Sequence, residues 1–368
     1  MTIIALLLIL TYLVWIILIT LGWFRLSSRE INARTYKTVT IIVCAKNEAE
    51  HLPALLEDIS RLNYPKRLLQ LILINDHSKD ATLKVMSEAE TKVSKTIIIN
   101  AANFGISGKK QAVRFAAKMA KSDYLYFTDA DCRLNSNVLI NLINFAVQNR
   151  YKLVSAPVVY DKISGLIQPF FRLEFASLVA AGAGGTGIRH PFMCNGANML
   201  VETKTYQDLS FSDADEISGD DVFVLHNIKK KIGVKVIGFC KHQESIVRTY
   251  PPENLQKFLA QRKKWASKTP AYQDRFSLFT AGLIFSYAFF TIICTIVSFF
   301  YFEWIYILAT LYGVKMLADF LLLWDFSRFA NDKRMMRIYP VLQLFYPFYI
   351  VFSGVASLRG YFKNNIKH

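Results

Sequence analysis

Three acidic clusters in this chain sit in comparable places. Asp129-Ala130-Asp131 sets two carboxylates one residue apart, Asn75-Asp76-His77-Ser78-Lys79-Asp80 adds two more, and Cys44-Ala45-Lys46-Asn47-Glu48 a fifth. Each closes a short apolar run: Tyr124–Thr128, Leu68–Asn75 and Val39–Ala45, respectively. Taken singly, an aspartate after a strand is as well explained as a turn or a helix cap. Three acidic clusters at one sheet edge would repel one another unless a cation lay among them. Hard divalent ions such as Mg2+ or Mn2+ prefer carboxylate oxygen and share the phosphates of a substrate. Two carboxylates separated by one residue can hold such an ion while one also touches a ribose.

The elements that must carry these clusters are legible in the periodicity. Continuous apolar runs at Val39–Ala45 and Leu68–Asn75 predict buried parallel strands, and Thr96–Asn100 and Tyr124–Thr128 a third and a fourth strand. Between them Leu52, Leu55, Leu56 and Ile59 recur at helical spacing, a helical stretch follows Asp80, and Lys109–Lys121 is an alanine-rich helix. This alternation predicts an α/β fold with a mainly parallel central sheet, in which ligands bind beyond the carboxyl ends of the strands.

On both sides of that region the chain turns apolar. Residues 1–24 carry no charge and, at 1.5 Å per residue, would span about 36 Å as a helix, enough to cross a bilayer. The run is too long for a signal peptide, and no basic leader or small-residue cleavage site accompanies it. Arg25, Arg29, Arg34 and Lys37 follow and put the next segment on the cytoplasmic side. Phe276–Phe302, Trp304–Trp324 and Ile338–Leu358 are further expected spans, the last also readable as re-entrant because of Pro340 and Pro347. Lys315 and Asp319, four residues apart, are expected to pair on one helix face. The expected division is a transmembrane helix at 1–24, a cytoplasmic catalytic domain at 25–250, an amphipathic interfacial segment at 251–275, a transmembrane region at 276–358 and a basic tail at 359–368.

Composition fits a membrane protein with anionic partners. Hydrophobic residues make up 53% of the 368, yet Lys+Arg exceed Asp+Glu by 44 to 28, which excludes a disordered chain. Five scattered cysteines form no C-x-x-C, so neither a disulfide framework nor a structural zinc site is indicated. No RNP-like or helix-turn-helix pattern accompanies the charge, so no nucleic-acid partner is expected.

In order, the motifs resemble those of membrane-bound family-2 glycosyltransferases of the GT-A fold, relatives of cellulose and hyaluronan synthases and of ceramide glucosyltransferases. The resemblance covers about Thr38–Lys268 and the flanking spans. It implies a Rossmann-like nucleotide-sugar domain flanked by transmembrane helices. It implies that Ala45 and Glu48 contact the nucleotide, that Asp76 recognises uracil, and that Lys109 lies near the diphosphate. Asp129 and Asp131 match the D-x-D pair, with Asp131 the stronger ligand of Mg2+ or Mn2+. Transfer further needs a base for the acceptor hydroxyl. Within Ser218-Gly219-Asp220-Asp221, which resembles the family's acidic motif, Asp221 aligns with that base and Asp220 with its companion. Both could instead simply begin a helix, where carboxylates complement the dipole.

Gln261-Arg262-Lys263-Lys264-Trp265 resembles the Q-x-x-R-W motif, with Lys264 where arginine is usual. The resemblance gives Gln261 and Trp265 to the acceptor end and Lys264 to the diphosphate; an amphipathic interfacial helix over Glu253–Lys268 is compatible with both. Asn195 and Gly196, within Phe192–Asn198, occupy the place of the acceptor-lining segment, and Gly182–Gly187 is expected to be a loop near it, without the lysine of a phosphate-binding loop. The expected activity is inverting transfer of a hexosyl or N-acetylhexosaminyl group from a UDP-sugar to a lipid, lipid-linked or saccharide hydroxyl at the cytoplasmic face of the cell membrane. Few spans favour single addition over a polymerising channel, which a homo-oligomer or partner subunit would change. A silent membrane scaffold or export component is the alternative outside catalysis.

Overall fold

The structure is a computed structural model and describes residues 2–27, 35–89, 95–161, 163–209 and 220–365, side chains excepted at 2, 89, 220 and 357–365. Arg29, Arg34, Ser218, Gly219 and Lys367 therefore lie outside the described residues, as do the side chains of Asp220, Arg359 and Lys363. In chain order the elements begin with α1 (Thr2–Arg25), β1 (Val39–Ala45), α2 (Leu52–Ser60), β2 (Leu69–Asn75), α3 (Thr82–Ala89), β3 (Thr96–Asn100), α4 (Lys109–Met119) and β4 (Tyr124–Asp129). They continue with α5 (Val138–Asn149), β5 (Leu153–Ser155), β6 (Val158–Tyr160), α6 (Gln168–Gly187), β7 (Met199–Glu202), α7 (Thr203–Gln207) and α8 (Asp220–Lys231). Last come β8 (Ile237–Phe239), β9 (Val247–Thr249), α9 (Leu255–Ala266), α10 (Arg275–Ser298), α11 (Trp304–Phe329) and α12 (Tyr339–Asn365).

The chain forms two compact units. One comprises Leu26–Asp161 and Met193–Tyr250, the other Met1–Arg25, Lys162–Phe192 and Pro251–His368. The stretch expected as one catalytic domain, 25–250, thus contributes Lys162–Phe192 to the second unit.

The first unit is the α/β layer. Its seven-stranded sheet has the order β3-β2-β1-β4-β7-β5-β8, beside a two-stranded sheet of β6 and β9. β1 pairs in parallel with β2 and β4, and β2 with β3, while β7 runs antiparallel to β4 and β5. Every residue of β1 is buried, as a strand covered on both faces requires. Leu52, Leu55, Leu56 and Ile59 form the buried face of α2, and Ala112, Val113, Ala116 and Ala117 that of α4. Register matters most for function: Ala45 lies opposite Asn75, Asn75 opposite Asn100, and Cys44 opposite Asp129. The carboxyl ends of four neighbouring parallel strands are therefore level, and the segments that follow them emerge at one edge.

The second unit is helical. Among the described residues four segments are long and apolar enough to cross a membrane: Ile3–Arg25, Arg275–Ser298, Trp304–Phe329 and Lys333–Ala356. α12 is continuous through Pro347. Lys315 and Asp319 pair as expected. Asp319 also accepts from the Tyr12 hydroxyl and, at 3.1 Å, from Gln343 Nε2, so one carboxylate joins α1, α11 and α12. Gly182–Gly187 corrects its expected description as a loop, because it is the last part of helix α6. A Cβ on Gly184 would overlap the Ile19 carbonyl, and one on Gly187 the Gly22 carbonyl. The glycines are there so that two helix backbones can touch, the small-residue packing of membrane helices.

Candidate active site

The β1 and β2 loops are stitched together by their own polar groups. Asp76 N–H donates to the Ala45 carbonyl at 2.9 Å, Asn47 N–H to Ser78 Oγ at 3.0 Å, and Lys79 N–H to Asn47 Oδ1 at 2.8 Å. Glu48 N–H donates to Thr82 Oγ1 at 2.8 Å and Ala49 N–H to Asp80 Oδ2 at 3.1 Å. Asn47 and His77 both take φ near +60°. Such backbone in non-glycine residues is held by its surroundings, and it concentrates at functional sites. Ala45 is buried and its carbonyl is occupied by Asp76, so it ties the loops together.

Asp76 is 5% exposed. Its Oδ1 accepts from Gly108 N–H at 3.3 Å and lies 3.1 Å from His77 Nδ1. Gly108, at φ +83°, is the residue before α4, and no side-chain-bearing residue adopts that turn cheaply. α4 therefore presents its amino terminus, a favourable place for anionic groups, and its first residue, Lys109, pairs with Asp129 Oδ1.

The two aspartates of the D-x-D segment are held differently. Asp129 ends β4 and faces Lys109. Asp131 Oδ2 accepts from Thr249 Oγ1 of β9 at 2.9 Å. Arg133 fixes the segment that follows: its guanidinium grips Asp58 of α2 at 2.6 and 2.9 Å, and its backbone exchanges hydrogen bonds with Arg248 at 2.7 and 3.1 Å. Sequence reasoning missed Thr249, Asp58 and Arg133, none of which lies in a motif. Burial, then the neighbouring Asp129, raises the Asp131 carboxyl above its usual range, opposed by Thr249 and Lys109. Glu48 is pushed up to about 7, by burial first and then by Asp131 and Asp129. Glu48 is thereby placed in the electrostatic reach of the pair.

Among the described residues no three His, Cys, Asp or Glu side chains converge as a metal cage. Asp129 and Asp131 suit a cation that takes most of its shell from elsewhere, as Mg2+ does from phosphates. Two half-buried carboxylates that repel one another, with one lysine between them and full neutralisation, have the donor chemistry that suits such an ion.

Asp221 is the second residue of α8 and is half-buried. Gly196 N–H donates to its Oδ2 and Val222 N–H to its Oδ1, each at 2.9 Å. The turn Gly196–Asn198 packs against both β4 and α8, which links the end carrying Asp129 to the start carrying Asp221. Asn195 Oδ1 is used within this turn, accepting from Ala197 N–H at 2.9 Å. The structure thus brings together Ala45, Glu48, Asp76, Lys109, Asp129, Asp131, Asn195, Gly196 and Asp221 within the α/β unit. Gln261, Lys264 and Trp265 lie on α9 in the helical unit, with Lys264 exposed and the other two half-buried.

Known proteins share this architecture. The chain is 32% identical over 115 residues to the 4,4'-diaponeurosporenoate glycosyltransferase of Staphylococcus haemolyticus, covering 31% of this chain and 30% of that protein. It is 25% identical over 250 residues to a poly-beta-1,6-N-acetyl-D-glucosamine synthase of Staphylococcus aureus, covering 64% and 56%. It therefore spans under a third of the first relative and just over half of the second. A mannosyltransferase from Pyrobaculum calidifontis, solved in complex with GDP-Man and Mn2+, has the same fold: TM-score 0.57 at 15% identity over 97% of this chain and 96% of that one. The model of the family described as Glycosyltransferase like family 2 matches residues 37–267, and to that family the chain belongs.

Proposed function

We propose that the chain is an inverting glycosyltransferase moving a hexosyl or N-acetylhexosaminyl group from a UDP-sugar to a lipid, lipid-linked or saccharide hydroxyl at the cytoplasmic face of the cell membrane. The observation that carries this reading is the level ending of β1, β2 and β4 together with the Gly196 turn. Those features gather the loop of Glu48 and Asp76, the Lys109–Asp129 pair, Asp131 and Asp221 in one unit.

In this reading Asp76 and the loops after β1 and β2 hold the nucleotide, and the amino end of α4 with Lys109 faces its diphosphate. Asp129 and Asp131 would hold Mg2+ or Mn2+, which would supply positive charge to the departing diphosphate. Asp221 takes the proton from the acceptor hydroxyl as it attacks the anomeric carbon. Its two backbone donors, from Gly196 and Val222, aim the carboxylate while leaving each oxygen a lone pair. One carboxylate suffices for direct displacement, which inverts the anomeric centre. Asp220 is its acidic companion. The resemblance adds Gln261 and Trp265 on the acceptor side and Lys264 at the diphosphate.

The chain turns over in this reading as a multi-pass membrane protein adding single sugars. The likeness to a poly-N-acetylglucosamine synthase favours a second reading, a processive synthase subunit. The deciding experiment incubates the detergent-purified protein with a panel of nucleotide sugars, Mn2+ or Mg2+ and a membrane-lipid extract. UDP release from one donor, stimulated by the extract and abolished by Asp221→Asn without loss of nucleotide binding, is the expected result. Release from no donor, or full turnover by Asp221→Asn, overturns it, and a ladder of product masses would select the processive reading.

A further inference from the structure

The helical unit contains a buried ion pair that no membrane-crossing requirement explains. Glu174 of α6 is 0% exposed and Arg262 of α9 is 4% exposed. Arg262 Nε donates to Glu174 Oε1 at 3.0 Å and to Oε2 at 2.9 Å, and Nη2 donates to Oε2 as well. The Tyr349 hydroxyl of α12 donates to Glu174 Oε1 at 2.5 Å. Around them Phe171 and Phe258 stack at 4.2 Å, with Phe258 also 5.8 Å from Tyr349. Three helices thus meet on one carboxylate.

Burying such a pair is no route to stability, since well-packed apolar residues commonly do as well or better. What the pair supplies is a fixed guanidinium. With Nε and Nη2 occupied by Glu174, Nη1 donates to Gln261 Oε1 at 2.5 Å. The planar face lies 4.3 Å from the Trp265 ring and 4.5 Å from that of Phe258. A guanidinium only donates, so it selects the amide oxygen of Gln261 and turns the amide nitrogen away. It also sets the plane of Trp265 by stacking, which lysine cannot imitate. The lever acts on the two residues of the Gln261–Trp265 segment that the functional reading gives to the acceptor.

We propose that Arg262, clamped by Glu174 and Tyr349, is a positioning residue that presets Gln261 and Trp265 for transfer; the proposal rests on the glycosyltransferase reading above. It is tested with the full-length protein in detergent carrying Arg262→Lys, which keeps the charge beside Glu174 and loses the fork and the plane. The first readout is acrylamide quenching of the Trp265 contribution to fluorescence, obtained by difference from Trp265→Phe in each background. At least twofold stronger quenching is expected in Arg262→Lys. The second is kinetic: kcat for transfer to the lipid extract falls about tenfold, while the donor KM stays within twofold. A purely structural role would change both parameters or neither. Unchanged quenching, or an unchanged kcat in a preparation that turns over, overturns the proposal. Quenching needs no turnover, so it decides the positioning even if no transfer is found, a result that would count against the functional reading instead. Should Arg262→Lys fail to fold, Arg262→Met with Glu174→Leu leaves no buried charge and takes its place with the same readouts.

Discussion

Gly196 shows how narrowly a single residue is constrained here. A Cβ added to it would lie 3.2 Å from Asp221 Cβ and 3.5 Å from Oδ2, tight enough to move the carboxylate by tenths of an ångström. With Asp221 as the proposed base, and since small misplacements of a reacting group cost much in rate, Gly196→Ala should lower kcat about tenfold and leave nucleotide affinity unchanged, as titration calorimetry would verify. Glu48 yields a second prediction. Its carboxyl is raised from an ordinary 4.5 to about 7, so between those values the folded, cation-free protein holds a proton that the unfolded chain has lost. Stability from this group is complete below about pH 4.5 and is lost as pH rises toward 7. Glu48→Gln should therefore gain Tm over the parent progressively from pH 5 to pH 7.5; a difference that shrinks with rising pH would contradict it. Residues like Asp76, Asp129 and Asp131 were legible because their types sit directly after apolar runs. Thr249, 118 positions from the Asp131 it binds, carries no mark in a sequence: any threonine in a short strand looks the same.

Elements divide along the same line between local and distant causes. β1 and β3 have the bounds their apolar runs predict, and β2, β4 and α4 shift by one or two residues. For β1, β2 and β4 burial on both faces writes itself into consecutive positions, whereas β3, at the sheet edge, buries only Ile99. α6 was hidden for the opposite reason. Glycines at 182, 184, 185 and 187 suggest a loop in water, where each weakens a helix by roughly 1 kcal/mol relative to alanine. In α6 the demand of a partner outweighs that cost, since a side chain at 184 or 187 would collide with the α1 backbone. Gly187→Ala must push α6 away from α1, and overpacking of this kind costs about 1–3 kcal/mol. Gly282 of α10 has open space where a Cβ would go. Gly187→Ala should thus lower the detergent melting temperature by several degrees while Gly282→Ala leaves it unchanged or raised. Equal effects would mean that propensity, not packing, governs both.

At the scale of the whole molecule the positive charge acts as a statement of topology. Eleven Lys/Arg against two Glu lie between Leu225 and Lys268, and Arg328, Lys333, Arg334 and Arg337 cluster at the end of α11, whereas the turn between α10 and α11 carries only Glu303 and a run of aromatics. Phe299, Phe300, Tyr301 and Phe302 are all highly exposed. Basic residues are retained on the cytoplasmic side and aromatic side chains favour the membrane interface, so the two ends of α11 should face opposite compartments. α11 covers 26 residues, about 39 Å at 1.5 Å per residue, ample for the roughly 30 Å hydrocarbon layer. Its Lys315–Asp319 pair does not argue against crossing. Each ion alone would cost about 2.5–3.5 kcal/mol at mid-span on insertion scales, but Tyr12 and Gln343 complete the coordination of the carboxylate. Glu303→Cys and Lys333→Cys test this directly, both side chains being exposed, against a background in which four native cysteines are buried and Cys194 half-buried. In sealed right-side-out vesicles an impermeant maleimide should label Glu303→Cys and spare Lys333→Cys, and inverted vesicles should reverse the pattern. Labelling of both from one side would mean that α11 does not cross, and the proposed cytoplasmic supply of UDP-sugar to Asp129 and Asp221 would lose its topological basis.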